Sequence, residues 1–266
     1  MVPSGIFKLD LSKRQKFVLG VTLLSAGIFL SEFLSGVAVI FVALILSILT
    51  VIFLFLALKE DIKDTFFYPI FILPFLFTLS FSLFYPLIPA RFLTKIALTS
   101  LYAFGVYSLF LTQNILAVSA IRTINLLRSA RIVSFVLTII VLFLLTNIVF
   151  SLRLPIYISP ILVFTIAFLL NFQSLWFYSL SSESIREIFF FSGLISLCLA
   201  ELSLILNMWP INASIYSIFL TGIFYAYSGL THAWLEKRLF RGVLWEYVWV
   251  GFLAILILVF FSNWGL

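Results

Sequence analysis

Nine apolar runs of about 20 residues, separated by short polar joints, constrain this chain more than any other feature. Each is long enough to cross the roughly 30 Å hydrocarbon core of a bilayer as a helix. They fall at about 17–35, 37–58, 66–88, 97–117, 132–152, 156–180, 188–208, 212–234 and 243–263. In lipid a spanning segment must satisfy its own backbone hydrogen bonds, so runs of this length read as helices. The composition removes the soluble alternative. Charged residues make up 10% of the 266 positions, against about 25% in an ordinary soluble domain, and there are 33 phenylalanines. The expected fold is an all-α polytopic transmembrane helix bundle of about nine spans. A basic segment, 1–16, precedes one helical domain, 17–266. The first apolar run follows Lys8, Lys13, Arg14 and Lys16 and continues into a second, so it reads as a retained span and not a signal peptide.

Basic residues orient the spans, because Lys and Arg favour cytoplasmic loops. With the N-terminus inside, the inner segments hold thirteen of the sixteen Lys and Arg residues, and only Arg91, Lys95 and Arg153 lie outside. This predicts a multi-pass protein of the cytoplasmic membrane, with the C-terminus outside. Trp176, Trp234, Trp245 and Trp249 fall at predicted inner ends, and Trp209 and Trp264 at outer ends, where indole rings prefer to sit. Pro74 falls in the middle of the third run and predicts a kink.

The stretch "AIRTINLLRSARIVSF" raises the possibility of a moving charge sensor. Arg122, Arg128 and Arg131 lie, by this count, in the inner connection between spans four and five. A sensor needs acidic partners within neighbouring spans, and the first four supply none at the right depth. The row reads as a basic loop or interfacial helix. The alternative is a site for an anionic lipid or lipid phosphate, which the planar arginine fork suits. Lys237, Arg238 and Arg241 fall on the same predicted side and complete a candidate anionic-lipid patch.

Within the spans, one acidic residue stands out. Glu201 in "CLAELSL" is expected roughly 10 Å below the outer boundary, at the depth of Asn147 and Thr221. These three, with Arg153 reaching down from the rim, form an expected polar layer, either structural or in contact with substrate. Gln113, Asn114, Asn171 and Gln173 form a second set nearer the inner face. Ser228 and His232 are spaced to touch on one helix, with His232 expected at the interface, and Glu246 is expected to pair with Arg241 or Lys237.

One histidine and one cysteine, Cys198, argue against metal centres, triads and intrachain disulfides, and no cofactor is expected. The net charge of +6 sits beside lipid, so membrane lipids are the expected partners, with a protein partner or second copy also possible and nucleic acid not expected. The stretches "NILAVSAIRTINLLRSARIVSF", "FQSLWF", "LAELSLILNMWP" and "EYVWVGFLAIL" resemble uncharacterised polytopic membrane proteins of candidate-phyla bacteria, over the last two-thirds of the chain. The resemblance implies a membrane location and no activity. Three functions stay open: transport or handling of an apolar or lipid-like substrate, a non-catalytic scaffold or assembly subunit, and an enzyme acting on a lipid-linked substrate through Glu32. Catalysis is the least supported, since Glu32 has no second acid beside it.

Overall fold

The computed structural model of the chain describes residues 12–31, 36–59, 68–88, 92–119, 126–179 and 185–262. Among these residues there are nine α-helices and no strands. They are α1 Lys13–Leu30, α2 Val37–Leu58, α3 Ile72–Phe84, α4 Phe92–Ser119, α5 Leu127–Ser151, α6 Ile158–Ser179, α7 Ile185–Asn207, α8 Ala213–Leu235 and α9 Arg241–Phe260. Among the described residues, eight segments are long and apolar enough to cross a membrane, α3 counting together with the 3-10 turns that flank it. Helix α1 carries Lys13, Arg14 and Lys16 in its first turn. It starts there because Ser12 and Gln15 form a capping box, the Ser12 hydroxyl accepting from the Gln15 N–H and the Gln15 side chain accepting from the Ser12 N–H. The first helix therefore begins before its apolar run does.

Pro74 does not lie mid-helix. A 3-10 turn, Tyr68–Phe71, leads into α3, so Pro74 falls in the first α-helical turn. There the missing N–H is one of the donors left free at any helix start, and no kink is needed. Pro86 similarly sits in the 3-10 turn Tyr85–Leu87 that ends the segment.

Helix α5 is the hub, packing on α3, α4, α6 and α8. The packing rule is that of a lipid-embedded bundle, with small and hydroxyl side chains inside and large apolar ones outside. On α7, Ser192, Ser196 and Ser203 are fully buried, while Phe190, Leu194, Leu197 and Leu204 are exposed. Many buried hydroxyls satisfy themselves within their own helix: Ser47 donates to the Ala43 carbonyl at 2.7 Å, and Thr146 to that of Leu142 at 2.7 Å. Others tie helices together. Thr50, Thr78 and Tyr102 form a chain across α2, α3 and α4 at 2.8 and 3.1 Å, and Ser203 meets Tyr216 between α7 and α8 at 2.6 Å.

Helix α9 docks along α8 through a seam of small residues. A Cβ added at Gly222 would come within 2.8 Å of Ala254, one at Gly251 would touch Ala226, and one at Gly229 would run into the Tyr247 ring. The three contacts are spaced one helical turn apart and run antiparallel.

Candidate polar cavity at the α5–α8–α9 end

The end of the bundle where α5 begins and α8 ends contains a polar cavity of about 380 Å³. Its wall takes Arg128, Ile132, Phe135, Val136 and Ile139 from α5, Tyr178 from α6 and Tyr225 and His232 from α8. Glu236 and Arg238 follow α8, and α9 adds Val243, Glu246 and Tyr247.

Helix termini place the charges. The side chain of Leu126 does not cap the start of α5, and Arg128 in its first turn lines the cavity. The end of α8 closes in a Schellman turn: the Lys237 N–H donates to the Trp234 carbonyl at 2.9 Å and the Arg238 N–H to that of Ala233 at 2.8 Å. Lys237 takes the left-handed position, with φ 55°, that glycine usually fills. This turn brings Glu236 and Arg238 to the cavity wall. Lys237→Gly is expected to raise stability by about 1 kcal/mol, read by unfolding in mixed micelles, through relief of that conformation.

Glu236 bridges two arginines. Arg131 Nη1 lies 3.5 Å from one of its oxygens and Arg238 Nη1 3.8 Å from the other. Both distances exceed the roughly 2.7–2.9 Å of a strong charge-assisted bond, so each guanidinium keeps donors for another acceptor. The Nε of Arg131 is buried with no hydrogen-bond partner among the described residues. Arg128 makes no ion pair among them.

Behind the charges stands an aromatic stack. Arg131 lies over Tyr178, 5.0 Å from the ring centroid, and Tyr178 stacks on His232 at 4.0 Å and 9°. Phe135 meets the His232 ring edge-on at 4.8 Å. His232 is therefore buried between helices near the end of α8, and its Nε2 lies 3.0 Å from the Ser174 hydroxyl. Ser228 turns to a different partner, donating to Asn171 Oδ1 at 3.0 Å. Both residues use their i, i+4 spacing to face α6 instead of each other. The sequence pattern missed this cage because Tyr178, His232 and Phe135 sit on three different helices.

Of the residues expected in an anionic-lipid patch, Arg131 and Arg238 meet at Glu236, Arg128 lines the same cavity as Glu236 and Arg238, Lys237 and Arg241 are exposed at the same end, and Arg122 lies outside the described residues. No pair between Glu246 and Arg241 or Lys237 forms among the described residues; Glu246 lines the cavity.

The four residues of the expected outer layer are not joined by any hydrogen bond or ion pair among the described residues. Asn147 and Thr221 are buried in the core. Glu201 is exposed, because it falls on the outward stripe of α7 with Leu194, Leu197 and Leu204. Arg153 is exposed after α5, in a left-handed conformation with φ 46°, and lines a separate cavity with Asn207. Near that depth the bonded pair is Ser203 and Tyr216, with the Phe150 ring 4.5 Å from that of Tyr216. Of the inner set, Gln113 and Gln173 are fully buried, with both amide atoms unpartnered among the described residues. Glu32 lies outside the described residues. Among the described residues, no three of His, Cys, Asp and Glu gather as a metal site would require.

No curated protein and no solved structure matches the chain. A family match covers residues 17–261, from the first helix to the end of the ninth, and the chain belongs to that family, described as "Protein of unknown function (DUF5656)".

Proposed function

We propose that this integral membrane protein binds a lipid with an anionic, phosphate-type headgroup at the polar cavity, and that it handles lipid-like molecules instead of hydrophilic solutes. The observation that carries this reading is that Arg131 and Arg238 share the Glu236 carboxylate at a cavity that Arg128 and Arg238 both line, next to the start of α5 and the half-exposed apolar side chains of Ile132 and Val136. Guanidinium groups bind phosphate oxygens through two parallel N–H donors, and helix N-termini favour anions. The basic bias of the loops at this end supports a cytoplasmic-leaflet lipid.

The test is native mass spectrometry of protein extracted gently with its own lipids and then offered phosphatidic acid or phosphatidylcholine. A hydrogen bond to a charged group contributes about 1.5–3 kcal/mol. The Arg128→Ala, Arg238→Ala double variant is therefore expected to retain at least tenfold less phosphatidic acid. Glu236→Gln frees both bridged arginines and is expected to retain more. Equal retention by all three proteins, or no preference for the anionic lipid, would remove the headgroup reading. A stoichiometric protein subunit without a lipid adduct would favour the scaffold alternative.

A further inference from the structure

A second, apolar crevice of about 270 Å³ opens between α3, α4 and α5, and it shares Ile132 and Val136 with the polar cavity. Its floor is formed where Gly105 of α4 lets the Phe77 ring of α3 lie directly on the helix; an added Cβ there would collide with that ring. Ile140 and Leu101 line only the crevice, and Arg128 lines only the polar cavity. Arg128, Ile132, Val136 and Ile140 are spaced four apart and form a single ridge along α5. Such a ridge is inclined to the helix axis, so it winds from one flank of α5 to the other. It starts on the α8–α9 side at Arg128 and ends on the α3–α4 side at Ile140. Twelve residues at 1.5 Å cover about 18 Å, close to the roughly 15 Å of one leaflet's hydrocarbon. Ile132 is 54% and Val136 49% exposed, so no helix among the described residues covers the ridge between the two sites.

We infer that the two cavities are the head and chain subsites of one lipid, which lies obliquely over α5 with its phosphate at Arg128 and an acyl chain in the α3–α4–α5 crevice. This rests on the headgroup reading above and adds the position of the chain. The crevice is too small for a whole lipid and continuous with the charged site, so its occupant is a chain of the same molecule. It also makes chain length a determinant of binding, since a short chain cannot reach Ile140.

The experiment compares retention of dioleoyl and dihexanoyl phosphatidic acid by native mass spectrometry. It uses wild type, Arg128→Ala, and two crevice variants, Ile140→Trp and Leu101→Trp. The crevice variants lie on different helices, and Leu101 faces outward, so a folding defect in one does not remove the test. Both are expected to retain at least tenfold less of the long-chain lipid and to hold the short-chain lipid as wild type does. Arg128→Ala is expected to lose both lipids. If both crevice variants keep the long-chain lipid while Arg128→Ala loses it, the chain is not in the crevice, although the headgroup reading stands. If Arg128→Ala keeps both lipids, the headgroup reading fails and this inference fails with it.

Discussion

Gly229→Leu is expected to undock α9 from α8. The added side chain would occupy the space of the Tyr247 ring, which already lies against the glycine Cα. Overpacking a tight contact costs about 1–3 kcal/mol even where neighbours can adjust. Here the obstacle is a ring held between two helices, and Tyr247 also contacts Tyr225 at 5.3 Å. Association of helices in lipid depends on such close approach, because no hydrophobic force drives it. The readout is a disulfide between Ala226→Cys and Gly251→Cys, in a Cys198→Ser background. These positions face each other in the seam, a Cβ at Gly251 falling 3.9 Å from that of Ala226. Crosslinking is expected to fall at least fivefold in Gly229→Leu. Gly193→Leu is the control: nothing lies within 4 Å of its added Cβ, so crosslinking there stays at the parental level. Unchanged crosslinking in Gly229→Leu would mean that α9 is not held by this seam.

Thr78→Val is expected to destabilise the bundle by about 1.5–3 kcal/mol, measured as reversible unfolding in mixed micelles. Interhelical side-chain hydrogen bonds in membranes average only about 0.6 kcal/mol. Thr78 is the middle of a chain, however, and its removal takes a partner from two buried hydroxyls at once, those of Thr50 and Tyr102. Thr50 still donates to the Leu46 carbonyl at 2.9 Å, so the main loss falls on Tyr102. An orphaned buried group costs about 1–3 kcal/mol, whereas removing both partners together is closer to neutral. The double variant Thr78→Val, Tyr102→Phe should therefore recover part of the loss. If the two single changes simply add, the hydroxyl chain is not coupled.

The positions of the spans were legible because apolar length is a strong signal in lipid. The run 37–58 coincides with α2, and 156–180 differs from α6 by a residue or two. Helix α1 was misplaced toward its C-terminal side because hydropathy marks where lipid begins, while helicity begins at the Ser12 cap. The arginines around Glu236 were legible as types, but the meeting of Arg131 and Arg238 there depends on how α5 and the end of α8 pack. Glu201 shows where a pattern was present but overlooked. Its neighbours at helical spacing, Leu194, Leu197 and Leu204, are all large and apolar, whereas the small residues Ser192, Ser196 and Ser203 form the other face. In a bundle that packs small residues inward, that arrangement turns Glu201 to the outer face. The burial of His232 had no local signal, since α6 and α5 supply its cover.

The α8–α9 seam also fixes how the polar cavity can change shape. Tyr247 fills the notch at Gly229, and the Gly222–Ala254 contact sits two turns away with no room to spare. Sliding α9 along α8 by one turn, about 5.4 Å, would carry the tyrosine out of its notch and against Ala226 or Ala233. The seam therefore acts as a bolt against piston motion. What it leaves free is a swing of α9 about its contact line, which would shift Val243 and Glu246 at the cavity while Tyr247 stays in its notch as the pivot.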